Sequence, residues 1–332
     1  PSKNKNFDWI KVVSTHQLAH LEFDSFDFKF DRPSTKFRDI RTKFECEKKA
    51  TVNKDFKYND DDEYEPVTDM QRFFKLFDDR SLALDIFTVI EDGRLDARVK
   101  VEYPGIRVPY SDVQEDSLYS RPNTKSLPAK EAIVELLVQL SLSKSRQLEV
   151  PTLYAEQIHE VIWIAIQTLH PYTTVEDTAE ATLRIYALIS QIPNKQLCPK
   201  DWQQIYPDDL EENFQTSDEK ILQILMHGNK NNVESDDTQN YESTENVDYR
   251  GDFKPELVQL LEQLRIQSLE NSTLDITQNM LENLLESSAE LNLPNTKNDG
   301  QITRSEFAEN ILRETKFNLS ESQKSVQGSP TH

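Results

Sequence analysis

Large apolar residues recur three and four positions apart along most of this chain, and prolines mark where the runs stop. The pattern predicts helices over residues 6–22, 81–103, 128–142, 151–169 and 174–192. Pro104-Gly105 closes the second of these. Pro128 and Pro151 open the third and fourth, where the missing N–H of proline removes no helical hydrogen bond. The stretch 24–38 is aromatic and charged and loses regular character near Pro33, and residues 60–65 read as an acidic loop. Phe73, Phe74 and Phe77 have helical spacing and read as core. Ile158, Val161, Ile162, Trp163, Ile164 and Ile166 are apolar around the whole helix circumference, which predicts the most buried helix, with His159 and His170 as capping or core residues. No run alternates in the manner of a strand bounded by hairpin turns. The expected fold class is therefore mainly α.

Composition shifts after Ile192. From Asp201 to Tyr249 thirteen acidic residues face only Lys220 and Lys230, a local balance of −11. Residues 229–249 have few large aliphatic side chains and read as an acidic, disordered linker. Helical pattern returns over 253–266 and 276–285, and the polar tail 318–332 reads as disordered. The expected organisation is a helical domain over 1–200, a linker over 201–250, a short helical segment over 251–317 and a tail over 318–332.

Charge and glycine usage exclude several functions. A net charge of −21 repels nucleic acid and anionic membrane surfaces. The six glycines do not cluster, so the chain holds no phosphate-cradling loop and no nucleophile elbow. There is no apolar run of membrane-spanning length. Cys46 and Cys198 stand far apart without metal-binding spacing, which fits a reducing, cytoplasmic setting. Residues 295–306 carry the glycine and final glutamate of a calcium loop, but Asn295 and Lys297 stand where carboxylates belong, so calcium is not expected there.

The candidate chemistry lies in His16-Gln17-Leu18-Ala19-His20. Two histidines four apart share one helix face and can present two imidazoles to one metal ion. In the zinc-peptidase motif H-E-x-x-H, the residue after the first histidine is the glutamate that activates water. Here it is Gln17, which has no proton-accepting side chain at neutral pH. Glu91 follows the apolar run Ile86, Phe87, Val89 and Ile90, so it needs a partner if buried. A metal shared with His16 and His20 would supply one. Asp92 or Asp96 would then orient a histidine from behind, with Arg94 nearby. The alternative is a buried ion-pair network of Glu91 and Asp92 with Arg94 and Arg98.

Taken together, His16 to Phe26, Val89 to Arg98 and Glu102-Tyr103-Pro104-Gly105 resemble the N-terminal half of bacterial proteins with a C-terminal von Willebrand A domain. These are the nitric oxide reductase activation proteins of the NorD type and the CobT-type cobaltochelatase subunits. Gln114 to Leu118, Glu131 to Glu135 and Phe253 to Val258 carry the same likeness. The resemblance implies a zincin-like helical region holding zinc through His16, His20 and Glu91. It implies adaptor work with a MoxR-type AAA+ ATPase in maturing or remodelling a client metalloenzyme. Two positions depart from the pattern: Gln17 replaces glutamate and Asp24 replaces glycine. No D-x-S-x-S string is present, and the chain opens on Pro1, so the resemblance implies the front part of a longer protein. An active zinc metallohydrolase and a metal-free helical interaction scaffold are the other two readings.

Overall fold

A computed structural model describes residues 3–55, 68–143, 147–207, 216–227, 238–269, 303 and 305–311. The chain forms two compact units. Pro1–Glu65 with Arg72–Phe253 makes the first, and Pro66–Gln71 with Lys254–His332 the second.

In the first unit the helices are α1 (Lys3–Glu22), α2 (Arg41–Asp55), α4 (Arg80–Glu102), α5 (Arg107–Tyr119), α6 (Ala129–Leu142), α7 (Ala155–Thr168), α8 (Val175–Ser190) and α9 (Asp218–His227), with α3 (Asp69–Phe74) reaching its edge. The mainly α class follows directly. Capping explains the register of the central pair. Asp79 accepts from the Leu82 N–H at 3.0 Å and starts α4. Thr174 and Asp177 cap α8 reciprocally, each side chain accepting the other's backbone N–H. α4 packs against α8, α6, α1, α5 and α7, and Phe73, Phe74 and Phe77 fill the core between Phe87 and Tyr186.

Three features differ from the reading of the pattern. The most buried helix is α8, every residue of which is buried from Val175 to Ile189, whereas Trp163 and Ile166 on α7 are only half-buried. α8 reaches that depth with Glu176, Glu180 and Arg184 because they are paired. Arg184 Nη1 donates to Glu180 Oε2 at 2.5 Å, and Arg41 Nη1 donates to Glu180 Oε1 at 3.3 Å. Pro151 ends a strand before α7 begins. β1 (Leu148–Pro151) pairs antiparallel with β2 (Trp202–Ile205), Leu148 opposite Ile205 and Pro151 opposite Trp202. Finally, residues 238–253 lie inside the packing of the first unit, although composition placed most of them in a disordered linker.

In the second unit α10 (Pro255–Leu269) is described, and the Met70 N–H donates to Gln259 Oε1 at 3.0 Å. The expected helix at 276–285, the calcium-like loop at 295–300 and the tail at 318–332 lie outside the described residues.

Candidate metal centre

α1 turns Val12, His16, Ala19, His20 and Phe23 inward, and α4 crosses that face. The two imidazoles stand edge-to-face with ring centroids 5.0 Å apart. The carboxylate that meets them is Asp92. Its Oδ1 lies 3.6 Å from His16 Nε2 and 3.5 Å from His20 Nε2. All three residues are buried, and together they form a group that could hold a metal ion. His16 Nε2, His20 Nε2 and Asp92 Oδ1 each lack a hydrogen-bond partner in the protein, as does His20 Nδ1. A buried polar atom without a partner costs about 1–3 kcal/mol. Three such atoms facing one another across a gap too wide for a hydrogen bond make room for an ion. Ligands at zinc–nitrogen and zinc–oxygen distances of about 2.0–2.1 Å on a tetrahedron sit about 3.3 Å apart, close to the separations here.

Asp96, one turn beyond Asp92 on α4, supports His16 from behind. Its Oδ1 lies 2.9 Å from His16 Nδ1 and accepts from the Tyr110 hydroxyl at 2.6 Å. Its Oδ2 accepts from Tyr249 at 2.5 Å, Arg250 Nη2 at 2.6 Å and Gln114 Nε2 at 3.0 Å. Burial pushes the Asp96 carboxyl up, but the Arg250 charge and the bonds from His16 and Tyr110 outweigh it and hold it well below the usual carboxylate range. An ionised Asp96 fixes the His16 tautomer with the proton on Nδ1, which leaves Nε2 free to ligate. Burial opposes a charge on His16, yet the facing Asp92 carboxylate and the bonded Asp96 carboxylate raise its pKa to about 9. Burial takes His20 the other way, to about 4.

The expected third ligand, Glu91, points elsewhere. Arg94 donates to both of its oxygens, from Nε at 2.9 Å and Nη2 at 2.5 Å, while Ser25 Oγ and Thr178 Oγ1 donate at 2.5 and 2.7 Å. Burial raises the Glu91 carboxyl, and the Arg94 charge together with these bonds more than reverses that. Arg94 also donates to the Phe23 and Thr173 carbonyls, each at 3.0 Å, so it joins α4 to the ends of two other segments rather than backing a histidine. Glu91 with Arg94 forms a buried ion pair, and Asp92 and Asp96 face the histidines. Arg98 lies over the Phe23 ring at 4.3 Å.

Gln17 is exposed, and its side-chain amide donates to the Arg250 carbonyl. The next residue has a left-handed backbone, which favours glycine. Gly251 has φ 68°, and a Cβ there would come within 2.9 Å of Gln17 Nε2. Gln17→Glu would set a carboxylate oxygen against the Arg250 carbonyl oxygen. The expected result is a loss of about 1 kcal/mol of unfolding free energy by urea titration and no gain of peptidase activity on a generic casein substrate.

Residues to which sequence reasoning gave no place at the site close the centre from more than 220 positions along the chain. The Tyr249 ring meets His16 edge-on at 5.6 Å, and Phe253 stacks on His20 at 4.4 Å with Phe26 beside it. Tyr249 and Arg250 signal themselves only by ending an otherwise polar, acidic stretch, whereas Phe253 opens the helical pattern of 253–266. No protein-family model, curated protein or solved structure matches this chain. No helix among the described residues is long and apolar enough to cross a membrane.

Proposed function

We propose that the first unit is a zinc-binding module of zincin geometry that holds the ion for binding or structure and does not cut peptides. The observation that carries this reading is the convergence of His16 Nε2, His20 Nε2 and Asp92 Oδ1, all buried and all without protein partners. Two imidazole nitrogens and one carboxylate oxygen suit zinc, with a fourth position left for another ligand. Hydrolysis lacks its proton acceptor: Gln17 bonds the Arg250 carbonyl, and Glu91 is committed to Arg94. Metal analysis of protein purified without chelator tests the reading. One zinc per chain is expected; a metal-free protein that also fails to take up added zinc would sink it.

Uptake should depend on pH in a defined way. His16 ligates through Nε2 only after losing the proton that its pKa of about 9 retains, whereas His20, at about 4, is already neutral. Zinc affinity should therefore rise about tenfold per pH unit from about pH 5 to 8 and flatten above about 9. The metal-free fold should show the complementary trend. The raised pKa of His16 contributes stability that is complete below about 6.5 and lost as pH climbs through 9, an effect of about 3 kcal/mol. Competition against a chromogenic chelator across this range, with urea titrations of the metal-free protein, checks both slopes.

The adaptor reading extends the proposal by resemblance alone: a module of this kind serving a MoxR-type AAA+ ATPase and a client metalloenzyme. Its support is local. The string Glu91-Asp92-Gly93-Arg94-Leu95-Asp96 supplies a facing carboxylate and its backing aspartate, and Asp24, at the expected glycine position, has a left-handed backbone with φ 62°. Co-purification of the chain with such an ATPase in an ATP-dependent complex tests it; no complex in either nucleotide state counts against it.

A further inference from the structure

Residues 239–253 are held to the first unit as a bound peptide is held, by separate side-chain anchors. The Gln239 N–H donates to the Asn194 carbonyl at 2.8 Å, and the Glu242 N–H to Glu131 Oε1 at 2.9 Å. Tyr241 donates to Asp85 Oδ2 at 2.5 Å, and Arg121 grips the Glu245 carbonyl at 2.9 Å. Tyr249 and Arg250 then converge on Asp96, with Arg250 Nη1 also donating to Ser141 Oγ at 3.0 Å. Gln17 takes the Arg250 carbonyl, and Phe253 fills the space between His20 and Phe87. The segment has no helix or strand of its own, and among the described residues its backbone-to-backbone bonds are the one to Asn194 and one internal turn from the Arg250 N–H to the Val247 carbonyl. A segment secured this way opens more readily than the helices beneath it.

We infer that the face of α1, α4 and α6 under this segment is a groove for an extended peptide, that residues 239–253 are its intramolecular occupant, and that it accepts in their place a partner segment presenting tyrosine-arginine followed, three residues after the arginine, by an aromatic. The chemistry of the floor sets that preference. Asp96 selects the arginine and the tyrosine hydroxyl together, Gln17 reads a backbone carbonyl, and the ring of His20 offers a flat face for the aromatic. The tethered occupant competes at an effective concentration on the order of millimolar, so a free peptide gains entry only when the tether is weakened. This inference goes beyond the zinc reading and does not depend on it.

The test uses the full chain and a fluorescein-labelled peptide copying residues 239–253. In the Tyr249→Ala/Phe253→Ala variant the groove should be vacated, and the peptide should bind at least about tenfold more tightly than to wild type by fluorescence anisotropy. Replacing the arginine of the peptide by alanine should remove most of that gain. A variant with wild-type circular dichroism that binds no peptide, or binds both peptides alike, overturns the proposal. Hydrogen exchange on wild-type protein gives a second reading should the variant fail to fold. Amides of 239–253 are expected to exchange at least about a hundredfold faster than those of α8, and equal protection would overturn the groove. Running the anisotropy with zinc and with EDTA separates the two claims: peptide binding in a protein that never takes zinc removes the metal reading and leaves this one standing.

Discussion

Asp92→Asn is expected to lower zinc affinity by at least about a hundredfold, and to cost the metal-free fold below about pH 9 the part of the His16 stabilisation that the Asp92 charge supplies. The physical reason is the isolation of Asp92 Oδ1. It makes no hydrogen bond in the protein and lies 3.6 and 3.5 Å from the two imidazole Nε2 atoms, so its charge acts on the imidazoles and on whatever sits among them. Asparagine keeps the shape and removes one negative ligand. Stabilisation by zinc should fall in step, since zinc at 100 times its dissociation constant adds about 2.7 kcal/mol. Chelator competition and thermal melts with and without zinc measure the two quantities. Retention of wild-type zinc affinity by Asp92→Asn would show that the ion, if bound, is held by other groups.

Glu91→Gln should give the opposite phenotype. It strips the charge that compensates a wholly buried Arg94 and weakens the bonds from Ser25 and Thr178. Breaking one side of a buried pair costs roughly 3–5 kcal/mol because the remaining charge stays desolvated. Against a total stability of about 5–15 kcal/mol this is a severe loss. The molecules that still fold should keep their zinc, because the glutamate does not reach the imidazoles. Urea titration together with zinc stoichiometry of the folded fraction checks it; loss of zinc without loss of stability would return Glu91 to the ligand set. The neighbouring acids therefore separate cleanly, one facing the imidazoles and one paired with Arg94.

That separation marks where the sequence stops being informative. Consecutive helical residues point about 100° apart, so whether residue 91 or 92 faces α1 depends on how α4 is rotated in its packing. Periodicity locates α4 to within a residue or so at each end and leaves that rotation undetermined. The four-residue spacing of His16 and His20, by contrast, fixes a shared face whatever the packing. Among the elements, α1, α4, α6, α7 and α8 were visible because apolar periodicity coincided with caps or prolines. The pair of β1 and β2 was not, because four residues ending in a proline carry no alternation and their partners lie some fifty residues apart. α8 was ranked below α7 for burial because hydropathy counts Glu176, Glu180 and Arg184 as surface residues, whereas pairing lets them sink. Tyr249 and Arg250 were submerged in the acidic composition around them, and only the fold shows that a polar stretch can be ordered by a few buried anchors.

Asp96 serves two masters: one oxygen steadies His16, and the other secures Tyr249 and Arg250. Thermodynamic reciprocity follows from that sharing. If release of residues 239–253 changes zinc affinity by some factor, removal of zinc must change the closing equilibrium of that segment by the same factor. The carboxylate is thus the physical place where an ion inside the molecule and a ligand arriving from outside would sense each other, with no other moving part required.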